Sequence, residues 1–191
     1  MRALWTLEEI GAPYELTLMS GEEGSGEEHR ERHPLGRVPV LEDDEGFVFE
    51  STAICLQLAD LHPQAGLLPP VGMHERALAY QWSCFAPAEL EPPLIEAAIF
   101  READPDRAAK ALGRFRAAAG AVVEALAGSE YVVGGKFGVA DVLVGTALFI
   151  PERAGFPEEV SEHLKAYVAR LRERPAYQRA REREATATTS S

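Results

Sequence analysis

Two short segments of the sequence carry residues that could bind a small peptide-like ligand. In the first, Ser51 stands where a helix is predicted to begin, so its hydroxyl and backbone N–H would suit a ligand carboxylate. Glu50 beside it supplies a negative charge for an amino group. Together the two residues match the two ends of an α-amino-acid zwitterion. The alternative is structural, because a serine N-cap beside an exposed glutamate has the same pattern.

The second segment is Gly36–Leu41, an apolar stretch that contains Pro39. A proline cannot donate to a β-ladder, so it belongs at a sheet edge or in a special turn. A cis bond between Val38 and Pro39 would turn the Val38 N–H and C=O outward, ready to pair with a ligand as an added strand. A trans edge-strand proline is the commoner alternative. Both segments flank one predicted hairpin and could therefore line one crevice.

The elements that must position these segments form a small α/β domain, predicted for residues 1–68. Residues 20–28 are rich in glycine and glutamate, and we expect a mobile loop there. Strands are expected at Tyr14–Met19, Val38–Glu42 and Phe47–Phe49, and helices at the beginning of the chain and from Ser51 to about His62.

The rest of the chain is helical in pattern, and residues 72–185 are predicted to form an all-helical domain. Pro87 lies within the first of its helices and should kink or split it, because proline removes a backbone donor and crowds the preceding turn. Residues 186–191 are small and polar, and we expect a disordered tail there. The candidate helices are residues 72–101, 106–127, 138–149, 160–173 and 176–184.

The composition limits the classes of function. The chain has 191 residues, with 31 acidic against 19 basic side chains and a formal net charge of −12. A surface that negative repels phosphate backbones and anionic lipids, so neither nucleic acid nor a membrane is an expected partner. Cys55 and Cys84 lack the spacing of metal ligands, so no metal site is expected. Because no signal-peptide core or membrane-spanning stretch is visible, we expect a cytoplasmic protein.

Several motifs occur in an order, and with gaps, that a known family shares. They are Pro13–Glu15, His33–Pro39, Glu50–Ile54 and Leu67–Pro69 in the first domain, and Tyr131–Asp141 and Arg174–Ala176 in the second. With these motifs the chain resembles the cytosolic glutathione S-transferases from Leu4 to about Tyr177. The resemblance implies a thioredoxin-like α/β N-terminal domain, whose first strand is missing, followed by an all-α C-terminal domain.

The resemblance also implies roles for single residues, with glutathione as the co-substrate. Val38 would pair its backbone with the cysteinyl part of glutathione, ahead of a cis Pro39. Glu50 and Ser51 would hold the γ-glutamyl end, and Arg37 could attract the glycyl carboxylate.

In the second domain the resemblance implies a structural role for Asp141, whose carboxylate would cap the start of its own helix. Gly138 stands where the family usually has a serine or threonine cap. Loss of that side chain is expected to cost a few tenths of a kcal/mol.

The residue that would activate the thiol of glutathione is unknown. A free thiol has a pKa near 8.5, and the family lowers it with a Ser, Tyr or Cys at the start of the first helix. In this chain that position would precede Met1. We therefore expect that the chain is cut short at its start. A natural short form is the alternative, but it would leave a gap in the sheet and unpaired buried backbone groups at about 1–3 kcal/mol each.

The resemblance implies an enzyme that conjugates the thiolate of glutathione to small hydrophobic electrophiles, and it implies a homodimer. Three alternatives remain open. The chain could be a non-catalytic member that binds glutathione or another ligand, or a glutathione-dependent isomerase or dehalogenase. It could also be a helical interaction module without a small-molecule site.

Overall fold

The computed structural model describes residues 1–19 and 26–189, so most of the predicted loop at 20–28 lies outside the described residues. Contacts divide the chain into two units, one formed by residues 1–66 together with the last helix and the other by Leu67–Arg174. In chain order the described elements are α1 (Arg2–Ile10), α2 (Glu27–Arg32), β1 (Val40–Asp43), β2 (Gly46–Phe49), α3 (Ser51–Leu61), α4 (His74–Phe85), α5 (Glu91–Phe100), α6 (Pro105–Ala125), α7 (Val139–Leu148), α8 (Ile150–Ala154), α9 (Glu162–Arg172) and α10 (Pro175–Thr189).

The first unit contains a two-stranded antiparallel hairpin, in which Val40 pairs with Phe49 and Asp43 with Gly46. Its turn forms because the Asp43 side chain accepts hydrogen bonds from the backbone N–H groups of Glu45 and Gly46, at 2.9 and 3.1 Å. This side chain to backbone bonding is the local chemistry that favours aspartate in turns. The hairpin was predicted, although β1 begins two residues later than expected.

The strand predicted at Tyr14–Met19 does not form. Among the described residues the hairpin is the only ladder, so the Tyr14 segment has no neighbouring strand with which to pair. Alternation of apolar and polar residues favours a strand only where such a neighbour exists, because the strand is held by hydrogen bonds to it. The segment therefore has no regular secondary structure.

Helix α1 packs against both α3 and α10 in the first unit. Gly11 ends the helix with a left-handed backbone (φ 72°), and its N–H donates to the Leu7 carbonyl at 2.9 Å. Glycine adopts this conformation at little cost. On the buried face, the Trp5 ring meets the Tyr177 ring of α10 edge to face, with centroids 4.9 Å apart.

The buried carboxylate of Glu8 also links α1 to α10. Glu8 is 7% exposed and accepts hydrogen bonds from Arg179 Nε at 2.7 Å and from the Tyr14 hydroxyl at 2.5 Å, while Arg183 Nε lies 2.7 Å from the same carboxylate. Burial alone would raise the pKa of Glu8, but the two hydrogen bonds and the two arginine charges lower it below its usual 4.5. We predicted this last helix as the end of the second domain, whereas its contacts are with α1.

The end of α10 also differs from the prediction. The helix continues to Thr189, into the segment 186–191 that was expected to be disordered, while Ser190 and Ser191 lie outside the described residues. The Thr186 hydroxyl donates to the Glu182 carbonyl at 2.8 Å, which is compatible with a helical backbone.

The second unit is helical, as predicted, and Pro87 interrupts its first long helix. The turn Ala86–Leu90, between α4 and α5, has π-helical hydrogen bonding, the local adjustment expected where proline removes a donor. Every residue of α7 is buried, so this helix forms the centre of the unit. No helix in the described part of the chain is both long and apolar enough to cross a membrane.

Asp141 caps α7 from within its first turn. Its carboxylate accepts hydrogen bonds from the N–H groups of Val132 and Gly138, at 3.0 and 2.9 Å, and from the Tyr167 hydroxyl at 2.7 Å. Burial raises the pKa of Asp141 to about 6, although these hydrogen bonds and Arg174 oppose the shift. The carboxylate thus accepts from three donors in separate parts of the second unit.

The start of α7 explains why position 138 has no side chain. The Leu67 carbonyl accepts a hydrogen bond from the Val139 N–H at 2.9 Å. A Cβ at Gly138 would lie 2.7 Å from that same oxygen, closer than Cβ atoms approach a backbone oxygen. A backbone carbonyl therefore occupies the place where the usual side-chain cap would stand, and the cap is replaced rather than simply lost.

Candidate ligand-binding site

The register of the hairpin brings the two predicted binding segments together. Because Val40 pairs with Phe49, the next residues outward at this end are Pro39 and Val38 on one side and Glu50 and Ser51 on the other. The turn that joins the strands lies at the opposite end. The open end of the hairpin therefore collects four of the five residues singled out from the sequence.

Glu50 has a strained backbone. Its φ of 68° and ψ of 114° make it the only residue other than glycine with positive φ in the described part of the chain. Such conformations cost about 1–3 kcal/mol and cluster at functional sites. Its carbonyl accepts the first hydrogen bond of α3, from Ile54 N–H at 3.0 Å, while its side chain is exposed to solvent. The exposed carboxylate is thus held at the helix start by an unfavourable backbone.

Ser51 is the first residue of α3, not its N-cap as predicted, because Glu50 takes that position. The Glu50 side chain forms no capping hydrogen bond with this helix. The Ser51 hydroxyl instead accepts a hydrogen bond from Arg2 Nη1 at 3.0 Å. A guanidinium and a helix N-terminus therefore meet at Ser51, and both favour a negatively charged group.

The Val38–Pro39 peptide bond is cis. The Val38 side chain is 64% exposed, and none of the described residues forms a hydrogen bond with its backbone N–H or C=O. A free donor and acceptor at the open end of a hairpin can pair with an extended peptide. Arg37, immediately before it, is exposed.

Two buried histidines hold the residues that precede Pro39. One histidine lies on α2, and the other follows the last residue of α2. His29 Nε2 lies 2.9 Å from the carbonyl oxygen of Arg37. His33 Nδ1 accepts a hydrogen bond from the Leu35 N–H at 3.1 Å, and its ring packs against Phe49 with centroids 4.9 Å apart. The turn between α2 and Val38 is therefore held by imidazole groups.

Sequence reasoning missed two contributors to this region, Arg2 and His29. Arg2 is 49 positions from Ser51, and only the packing of α1 against α3 brings it there. His29 lies on a six-residue helix of charged side chains, EEHRER, whose pattern marks no buried position. The sequence signal available for His29 was the presence of a histidine shortly before the Gly36–Leu41 segment.

Among the described residues of the first unit, the pKa of Tyr14 and that of Cys55 are both raised. Burial and the hydrogen bond to Glu8 raise the pKa of Tyr14 to about 12, and burial raises the pKa of Cys55 to about 11. Both groups are therefore protonated at neutral pH. The Tyr14 hydroxyl already donates to the Glu8 carboxylate, and the Cys55 side chain is buried, so neither is placed to donate to a thiolate. Within the described residues no cluster of three or more His, Cys, Asp or Glu side chains could hold a metal ion.

Comparison with known proteins identifies the family. The model of the glutathione S-transferase N-terminal domain matches residues 1–60, and that of the C-terminal domain matches residues 73–175. The chain belongs to the glutathione S-transferase family. The predicted fold class, a small N-terminal α/β domain followed by a helical domain, is confirmed.

Individual members of the glutathione S-transferase family are similar over about half to nearly all of the chain. The protein GstA of Escherichia coli O157:H7 is 30% identical over 180 residues, which cover 91% of this chain and 88% of that protein. Glutathione S-transferase 4 of Zea mays is 40% identical over 96 residues, but these cover only 49% of this chain and 43% of that protein. A sphingomonad glutathione S-transferase, solved in complex with glutathione, superposes with a TM-score of 0.85 at 26% identity, covering 96% of this chain and 93% of that one.

Proposed function

We propose that this chain binds glutathione at the open end of the hairpin and conjugates its thiolate to small hydrophobic electrophiles. The observation that carries the proposal is the convergence of the cis Val38–Pro39 segment with Glu50 and Ser51 at that end. A sphingomonad relative of the same fold binds glutathione, which supports the same ligand here.

Each group of glutathione has a complementary group in the site. The α-carboxylate of the γ-glutamyl end would face Ser51 and the start of α3, and the α-ammonium would face Glu50. The Val38 backbone would pair with the cysteinyl part, as one strand pairs with another. Arg37 would attract the glycyl carboxylate, a contact of an exposed side chain with little energy of its own.

Binding and catalysis are separate parts of the proposal. Only a few per cent of a free thiol is ionised at neutral pH, and lowering its pKa by one unit takes about 1.4 kcal/mol of preferential stabilisation of the thiolate. We also propose a homodimer in the cytoplasm, as is usual in the family, and the two cysteines, both free thiols, are compatible with a reducing compartment.

Calorimetric titration with glutathione tests the binding proposal. We expect the wild-type chain to bind glutathione, and Ser51→Ala to bind it at least about tenfold more weakly, because a charge-assisted hydrogen bond is worth about 1.5–3 kcal/mol. Ser161→Ala is the matched control, since Ser161 is exposed at the start of α9 in the second unit. Absence of binding by the wild type, or equal binding by Ser51→Ala, would contradict the proposal.

Turnover of an aryl halide then separates the alternatives. Formation of the glutathione conjugate above the uncatalysed rate supports the transferase, whereas binding without rate enhancement supports a non-catalytic glutathione-binding member. Mass spectrometry identifies the products. Halide release without a stable conjugate would indicate a dehalogenase, and rearrangement of a substrate without net consumption of glutathione would indicate an isomerase. Size-exclusion chromatography with light scattering tests the proposed dimer.

A further inference from the structure

His29 is a buried histidine with an unusual hydrogen-bonding state. The residue is 3% exposed, and its Nε2 atom lies 2.9 Å from the carbonyl oxygen of Arg37. A carbonyl can only accept, so Nε2 must carry the ring proton and donate it. Nδ1 has no hydrogen-bond partner among the described residues. The geometry therefore requires a proton on Nε2.

This arrangement is poorly suited to stability alone. A buried polar atom without a partner is unfavourable, and such atoms in folded proteins call for an explanation. An apolar side chain of similar size would bury the same surface without leaving a ring nitrogen unpaired. Compared with such an apolar side chain, the histidine adds one hydrogen bond, to the Arg37 carbonyl. We therefore expect the role of His29 to depend on that hydrogen bond.

The accepting carbonyl belongs to the peptide group that joins Arg37 to Val38. In a planar trans peptide the C=O and the N–H point in opposite directions, and this bond is not among the cis bonds of the described chain. Holding the Arg37 C=O toward His29 on α2 therefore directs the Val38 N–H away from α2. Donation to the carbonyl also polarises the peptide group, which strengthens the N–H as a donor.

We propose that His29 is a positioning residue for glutathione: its Nε2–H fixes the Arg37–Val38 peptide so that the Val38 N–H faces the cysteinyl part of the ligand. The inference rests on the proposed binding of glutathione to Val38. His29 itself does not touch the ligand. It acts through one backbone carbonyl, and its effect falls on affinity rather than on the fold.

Three substitutions at this position separate the hydrogen bond from the packing. The amide nitrogen of His29→Gln can reach the place of Nε2 and donate to Arg37. In His29→Asn the side chain is one bond shorter, and its amide lies nearer the place of Nδ1. His29→Leu keeps a comparable volume without a donor. His163→Leu, at an exposed position on α9, is the surface control.

The experiment measures the Kd for glutathione by calorimetry and the urea midpoint of each variant. We expect His29→Gln to bind within about threefold of wild type, and His29→Leu and His29→Asn to bind about tenfold more weakly, the loss of one hydrogen bond. We expect the urea midpoint of His29→Leu to change little, because the substitution removes both the unpaired ring nitrogen and the hydrogen bond to Arg37. If His29→Leu fails to fold, the contrast between the Gln and Asn variants decides.

The outcomes distinguish this inference from the proposed function. If the wild type does not bind glutathione, the proposed function fails and the inference fails with it. If the wild type binds and Ser51→Ala does not, but His29→Asn and His29→Leu bind as tightly as wild type, only the positioning role is overturned. It is also overturned if His29→Gln is as weak as His29→Leu, or if affinity and urea midpoint fall in parallel across the series.

Discussion

The strained backbone at Glu50 predicts that stability and ligand binding can be separated at one residue. In Glu50→Ala the carboxylate is removed, but the residue still has a Cβ and keeps the unfavourable φ of 68°. In Glu50→Gly both the carboxylate and the strain are removed. Comparing these two variants cancels the loss of the side-chain charge, so the difference in their free energies of unfolding measures the backbone strain.

The size of the difference follows from the conformation. A non-glycine residue in this region costs about 1–3 kcal/mol, and glycine loses about 0.5–1 kcal/mol more backbone entropy on folding. We therefore expect Glu50→Gly to be about 1 kcal/mol more stable than Glu50→Ala in urea unfolding. Both variants lose the proposed contact with the ligand ammonium, and we expect each to bind glutathione at least about tenfold more weakly than wild type.

Two results would refute this reasoning separately. Equal stability of the glycine and alanine variants would mean that Glu50 is not strained in solution. Affinity for glutathione equal to that of the wild type in either variant would mean that the Glu50 carboxylate does not contact the ligand. Glu45→Ala is the matched control, because Glu45 is an exposed glutamate in the turn at the other end of the hairpin.

Three further predictions concern the fold. We expect Gly138→Ser to lower the free energy of unfolding by about 1–3 kcal/mol, although serine is the better cap in general, because its Cβ would lie 2.7 Å from the Leu67 carbonyl oxygen. We expect Asp141→Asn to lower it by about 1–3 kcal/mol, since the amide NH₂ would face a donor where a carboxylate oxygen now accepts. Because the pKa of Glu8 is lowered on folding, its ionised form stabilises the fold above pH 4.5, and this stabilisation is lost as the pH falls through the folded pKa. Glu8→Gln should therefore be less stable than wild type at about pH 7, and the gap should narrow on acidification.

Urea unfolding checks all three, with surface substitutions as controls. Gly113→Ser adds a Cβ on α6 with nothing within 4 Å, so it should not destabilise; equal effects at 113 and 138 would contradict the steric argument. Asp106→Asn, at an exposed position in the first turn of α6, should cost far less than Asp141→Asn. Glu162→Gln, whose side chain is 84% exposed, should not change the pH dependence, and a Glu8→Gln variant that follows wild type at every pH would contradict the role of Glu8.

Features set by neighbouring residues could be predicted from the sequence. The turn at Asp43–Gly46 rests on hydrogen bonds within four residues, and Pro87 interrupts its helix through its own missing donor. Helices α6 and α9 lie within a few residues of their predicted bounds because each buries a periodic apolar face. These features depend on residues that are close together in the sequence, and the tertiary contacts of the fold are compatible with them.

Features set by distant contacts could not be predicted in this way. The Tyr14 segment alternates like a strand, but strand formation depends on a neighbour that the segment itself does not encode. The replacement of a side-chain cap by the Leu67 carbonyl depends on a loop 71 positions away along the chain, and the Arg2 contact to Ser51 on helix packing. At the candidate site, residue types predicted which groups matter, whereas the strain at Glu50 and the support from His29 required coordinates.

The position of α10 has a consequence for how the chain is made. A ribosome releases α1 first, but the partners of Trp5 and Glu8 on α10 emerge only after the whole second unit has been synthesised. A nascent chain therefore carries Trp5 without its Tyr177 partner, and the Glu8 carboxylate without its two arginine partners, while the helices between them fold. A chain stopped after Arg174 should keep that state, which a red-shifted tryptophan emission relative to the complete sequence would reveal.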